Sequence, residues 1–132
     1  MSAQRGLANW HRVFRGGGKA EELRRIVRAD AVFHSPVVHT PQEGRDRVVA
    51  YLAAASETLS NASFAYVREL TDGDDAMLEF TTEMDGVMVN GIDLIRFDED
   101  GMIRDFKVMI RPLKAVNKVW EAMAAQLAAA RD

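Results

Sequence analysis

Apolar residues recur along this chain with two different periods. The first third follows helical spacing. Leu7, Trp10 or His11, and Phe14 stand at i, i+3 or i+4, and i+7, which predicts a helix with one apolar face. The run "GGG" at Gly16 to Gly18 ends it. Ala20, Leu23, Ile26 and Val27 predict a second, short helix, with Glu21 and Glu22 in the first turn, where the helix dipole favours them. "AVFHS" is a short extended segment that stops at Pro36. A third helix is predicted from about Arg45 to Leu59, with Val48, Leu52, Ala55 and Leu59 on one face.

After "SNAS" the period becomes two. "SFAYVREL" predicts a strand and "TDGDD" a turn. In "AMLEFTTEM", Leu78, Phe80, Thr82 and Met84 alternate with Met77, Glu79, Thr81 and Glu83, and "DG" at Asp85–Gly86 is a hairpin signal. "VMVNGIDLIRF" reads as a long strand, "DEDG" as a turn, and "MIRDFKVMI" as the last strand. There Phe106, Val108 and Ile110 alternate with Asp105, Lys107, Met109 and Arg111. Pro112 opens a long C-terminal helix, whose apolar stripe is expected to be Leu113, Val116, Trp120, Met123 and Leu127.

Helices grouped before a meander of strands imply an α+β fold. We expect N-terminal helices packed on a strongly curved, mainly antiparallel sheet, cone-shaped overall, with a C-terminal helix. The concave face is apolar, a candidate ligand pocket. With 132 residues and no internal repeat or linker, the chain is expected to be a single domain, 1–132. Ile92, Leu94 and Met109 fall on the opposite sheet face, which points to a homodimer interface.

Composition narrows the function classes. A net charge of −3 gives no reason to expect nucleic-acid binding. Seven basic side chains in residues 1–28 (Arg5, Arg12, Arg15, Lys19, Arg24, Arg25, Arg28) read as a solvated face or as a patch for anions. No run of about 18 apolar residues exists to span a membrane. "MSAQRGLANWHRVF" lacks the apolar core of a secretory signal, so a cytoplasmic location is expected. With no cysteine there is no thiolate ligand or nucleophile.

The element order, "GRDRVVAYLAAA" and "GIDLIRFDEDGMIRDFKVMI", most sharply in "IDLIRFDEDGMI", resemble the nuclear transport factor 2-like superfamily, over about residues 5 to 112. This group includes ketosteroid isomerases and SnoaL-like polyketide cyclases. The resemblance implies a cone-shaped fold with an internal pocket, commonly in a homodimer. It implies no single chemistry.

Residue by residue, Asp93 falls where the isomerases keep a protonated aspartic acid, the established illustration of a carboxyl held neutral by an apolar site. Strand alternation supports this, because Asp93 shares its face with Ile95 and Phe97. The isomerase general base precedes a proline at the end of the first short strand. Here that position, in "FHSP", is Ser35, whose hydroxyl cannot accept and relay a proton as a carboxylate does. The tyrosine of the first helix falls near Trp10 or His11. The second catalytic aspartate of the superfamily's epoxide hydrolases falls on Val108. The resemblance therefore implies a scaffold without the isomerase general base.

His34 and His39 are candidate substitutes for it, because imidazole titrates near physiological pH. Alternation puts His34 and Ser35 on opposite faces, and His39 lies beyond Pro36, at the pocket mouth. Two histidines at i, i+5 do not converge, so no metal is expected. The candidate catalytic residues are Asp93, His34 and His39. The candidate ligand contacts are His11, Trp10, Ser35, Tyr51, Phe80, Met84, Ile95, Phe106, Val108 and Ile110. The expected ligand is a small, largely apolar molecule bearing a carbonyl or hydroxyl. Two functions compete: acid–base chemistry of isomerase, cyclase or dehydratase type without a cofactor, or a non-catalytic ligand-binding or dimerising accessory domain.

Overall fold

A computed structural model describes residues 2–131. Helices α1 (Ser2–Arg15) and α2 (Ala20–Arg24) lead into strand β1 (Val27–His34) and the short β2 (Gln42–Glu43). Helix α3 (Arg45–Leu59) precedes β3 (Ala65–Asp72), β4 (Asp75–Met84), β5 (Val87–Phe97) and β6 (Ile103–Arg111), and α4 (Leu113–Arg131) ends the chain. The six strands form one curved, unclosed sheet in the order β2-β1-β6-β5-β4-β3. β1 pairs parallel with β6 and every other pairing is antiparallel. The expected α+β fold is observed.

Local chemistry sets the boundaries. At the end of α1, Gly18 N donates to Val13 O and Gly17 N to Phe14 O, with Gly17 at φ 102°. This is a Schellman cap, in which glycine supplies the left-handed residue. Asp85 and Gly86 both have positive φ, so the β4–β5 hairpin closes in the two-residue turn that its "DG" predicts.

Two expectations need correction. Ile26 and Val27 do not continue the second helix. Val27 begins β1 opposite Ile103, and Ile103 N donates to Ile26 O. β6 offers an edge to pair with, and β-branched residues fit a strand better than the end of a five-residue helix. The C-terminal helix is also rotated from its expected phase. Ala115, Val119 and Met123 are buried, whereas Leu113 and Trp120 (56% exposed) point outward. Helix α4 packs against α3, β5 and β6, and the row continues to the partly buried Leu127.

The inner sheet face and the helices enclose the core. Phe33, Phe80, Phe97 and Phe106 are its largest fully buried side chains. The outer face carries Met88, Leu94 and Met109 in the open, as the alternation predicts for Leu94 and Met109. Carboxylates partner four of the seven N-terminal basic residues, Arg12, Arg24, Arg25 and Arg28.

Candidate functional site

Between the inner sheet face and helices α1, α3 and α4 lies a cavity of about 40 Å³. A single water needs roughly 10–15 Å³ measured the same way. The walls are apolar and largely aromatic: Trp10 and Phe14 from α1, Leu52 from α3, Phe80 from β4, Phe106 and Val108 from β6. The polar residues of its lining include Asp93, Tyr66, Ser35 and Ser56, and the Trp10 indole N–H bonds Tyr66.

Asp93 sits on β5 opposite Leu78 and Val108, with 7% of its surface exposed. Tyr66 Oη donates to Asp93 Oδ2 at 2.9 Å, and Trp10 Nε1 donates to Tyr66 Oη at 3.1 Å. The result is a directed relay, Trp10 to Tyr66 to Asp93, in a greasy wall. Burial pushes the Asp93 carboxyl up to about 7, and the Tyr66 bond only partly offsets this. Burial, and then the charge of Asp93, push the Tyr66 phenol upward, so Tyr66 is a donor throughout the neutral range. A carboxyl poised near neutrality can donate a hydrogen bond to a ligand oxygen or accept a proton from carbon. Only Oδ2 is engaged among the described residues, which leaves Oδ1 available.

The first strand delivers the rest as its alternation requires. Ser35 turns toward the cavity, and its Oγ accepts from Val37 N at 3.1 Å. His34 turns to the outer face, where Nε2 lies 2.8 Å from Asp105 Oδ1. His39 is exposed in an outer groove that it shares with His34 and Lys107. That groove meets the cavity at Ser35, Pro36, Val108 and Ile110.

Of the expected contacts, Trp10, Ser35, Phe80, Asp93, Phe106, Val108 and Ile110 line the cavity. His34 does not, for the strand-face reason just given, and His39 does not because it lies in the exposed loop beyond the end of β1. His11 is also absent from the lining; it stands edge-on to Tyr66 at 5.6 Å between ring centres and is held by Glu69 at 2.7 Å. Tyr51 is spent on Phe33, at 5.3 Å between ring centres, while Met84 and Ile95 are core residues beyond the cavity walls. Sequence reasoning missed Tyr66 as the partner of Asp93, and also Phe14, Phe64 and Ser56. Tyr66 pairs directly with the inward Phe80 in the β3–β4 register, which is the signal that identifies its face.

The chain belongs to the SnoaL-like family, whose model matches residues 7–106. It is similar to a crystal structure described as a steroid delta-isomerase from Pseudomonas aeruginosa, at 37% identity and a TM-score of 0.89, covering 97% of this chain and 93% of that one. An uncharacterised protein with a cystatin-like fold from Silicibacter pomeroyi is 31% identical, with a TM-score of 0.83 over 92% of this chain and 84% of that one. A putative SnoaL-like polyketide cyclase from Jannaschia shares the fold, at 14% identity and a TM-score of 0.69, over 89% of this chain and 92% of that one. No curated protein matches the chain.

Proposed function

We propose that the cavity binds a small, largely apolar molecule through a carbonyl or hydroxyl oxygen set against Asp93. The observation that carries this reading is the Trp10–Tyr66–Asp93 relay ending in an apolar cavity. A buried carboxyl with only a neutral partner costs stability unless a ligand uses it. Protonated Asp93 donates to the ligand oxygen, and Tyr66 holds the carboxyl in place. Phe80, Phe106, Val108 and Ile110 supply the apolar contact, and Ser35 stands at the mouth. Met123, in the wall, is the flexible residue that adapts to ligand size.

Acid–base catalysis on the same site is the second reading. The 37% identity to a structure described as a steroid delta-isomerase favours it. Ser35 stands where a base is needed, and no histidine lines the cavity among the described residues. In this reading Asp93 itself takes a proton from the carbon beside a carbonyl and returns it further along the chain. Cyclohexanone separates binding from no binding, read from the Trp10 indole resonance in proton–nitrogen spectra. Conversion of 3-cyclohexenone to conjugated 2-cyclohexenone, read by ultraviolet absorbance, tests turnover. Both signals should be lost in Asp93→Asn. Binding without turnover selects the accessory-domain reading. An unmoved Trp10 resonance in the wild type sinks the pocket reading itself.

We also propose that the chain works as a homodimer through the outer sheet face, because Met88, Leu94 and Met109 stand exposed there together. Sedimentation of Met109→Asp beside the wild type tests this. Two species of equal, monomeric mass would refute it.

A further inference from the structure

The cavity opens at one place, and the chemistry there differs from that of its walls. β1 stops at His34, opposite Lys107 of β6, because Ser35 and Pro36 leave the sheet. Proline has no N–H for a strand ladder, and Ser35 Oγ takes the Val37 N–H into a local turn instead. Over residues 108–111, β6 therefore has a strand partner only on its β5 side. The outer groove lies at this gap. Its volume is about 410 Å³ against about 40 Å³ for the cavity, and the two share Ser35, Pro36, Val108 and Ile110.

The groove's lining carries three basic side chains, His34, His39 and Lys107, and no carboxylate. Asp105 holds His34 through Nε2 from outside that lining. Neither Lys107 nor His39 has a carboxylate partner among the described residues. Lys107 also borders a second outer groove, but the carboxylates there are already engaged: Asp30 with Arg28, Asp75 with Arg96 and Asp105 with His34. A half-buried ammonium is thus left without a counter-charge at the opening of an apolar cavity. A cleft lined by one sign of charge concentrates ligands of the opposite sign.

On the reading that Asp93 anchors a ligand oxygen, we infer that the groove takes an anionic tail of the same molecule. The ligand class is then an apolar oxo or hydroxy compound that bears a carboxylate. Its skeleton lies among Phe80, Phe106 and Val108, and its carboxylate stays outside with Lys107 and His39. The reverse orientation would bury the carboxylate against apolar walls and beside Asp93, which desolvation forbids. The two ends therefore fix which way the ligand enters. Met109 belongs both to this lining and to the proposed dimer face, so the probes are measured on the protein in its native assembly.

The probes are cyclohexanone and 4-oxocyclohexyl compounds with acetate, propanoate and butanoate tails, each acid beside its methyl ester. Affinities come from the Trp10 indole resonance. In the wild type, at least one acid should bind more tightly than its ester by about fivefold. Raising salt from about 0.05 M to about 0.5 M should shrink that advantage. Lys107→Gln should remove most of it and His39→Gln part of it, with cyclohexanone and ester affinities unchanged. Asp93→Asn should weaken cyclohexanone, esters and acids alike. Esters and cyclohexanone that bind while no acid exceeds its ester would overturn the groove inference and leave the Asp93 reading standing. An advantage that survives both Lys107→Gln and His39→Gln would overturn it too. A wild type that binds none of the probes overturns both readings.

Discussion

Strands β5 and β6 each show two environments in alternate residues. On the inner face, Asp93 is buried beside Val108, and its side-chain partner among the described residues is a neutral phenol. On the outer face, Asp105 of the neighbouring strand is half-exposed, and its partner is the imidazole of His34. Two carboxyls a few residues apart in one sheet are thus placed for different work. The inner one is held in a proton-bearing state near neutrality by lack of water. The outer one sits in a solvated pair of the kind that contributes little to stability. The side of the sheet decides the chemistry, more than the residue type does. That is why His34, one residue from the cavity wall at Ser35, does not share its site.

Truncation tests this contrast most severely. Phe106 is 1% exposed and packs on Trp10 at 5.0 Å between ring centres. Phe106→Ala should cost about 3–5 kcal/mol in denaturant unfolding, the range for large aromatic cores. Met109, three residues on but 49% exposed, faces out. Met109→Ala should stay within about 0.5 kcal/mol at protein concentrations low enough to keep the chain monomeric. Comparable losses at the two positions would erase the difference between the faces.

The pH dependence of stability tests the inner carboxyl directly. The folded-state value of Asp93 is raised from 3.8 to about 7, so the folded chain holds a proton that the unfolded chain has released. Its stabilising contribution is complete below about pH 4 and is lost as pH rises to 7, a change on the order of 4 kcal/mol if fully expressed. The opposite sign applies to Asp30, Asp46, Asp75 and Asp85, which arginine or lysine partners hold below the usual carboxylate value. Their contribution is present above 3.8 and disappears as pH falls lower. Stability should therefore peak on the acid side of neutrality. Asp93→Asn should flatten the slope between pH 5 and 8 and leave a protein more stable than wild type at pH 8. An unchanged slope would show that Asp93 is charged and solvated.

Gly91 offers a narrower probe of the same inner face. An added Cβ would lie 2.5 Å from Phe80 Cζ and 2.7 Å from the Met109 carbonyl oxygen. The ring can turn, but the backbone oxygen of β6 cannot yield cheaply. Gly91→Ala should cost about 1–3 kcal/mol and displace Phe80 from the cavity wall, weakening cyclohexanone binding with it. A neutral Gly91→Ala would mean that the wall is looser than its packing indicates.

Strict alternation made much of this legible from residues alone. It put Asp93, Ile95, Phe106 and Val108 on one face, and it separated His34 from Ser35. Tyr66 escaped because β3 is apolar on both faces up to Arg68, and the register slips between Tyr66 and Arg68. The phase of α4 escaped because alanines fill its surface, so Leu113 and Trp120 outweighed Ala115 in a reading by hydrophobicity. A small buried residue carries little signal in sequence.

The outer pair supplies the smallest effect and the cleanest control. His34 Nε2 and Asp105 Oδ1 are 2.8 Å apart, and both side chains are about a third exposed. Solvent screens such a pair, so the expected coupling between His34→Gln and Asp105→Asn in a double-mutant cycle is about 0.2–1 kcal/mol. The larger content of the experiment is what should not change. His34 lies on the outer face of the sheet, held by Asp105, and is not in the cavity wall, although the groove it lines meets the cavity at Ser35, Pro36, Val108 and Ile110. His34→Gln should therefore leave cyclohexanone affinity within about twofold of wild type, well under the 1.4 kcal/mol that marks a tenfold change. A drop of tenfold or more in His34→Gln alone would join the outer groove to the site and make the sheet face a poor guide to which residues act together.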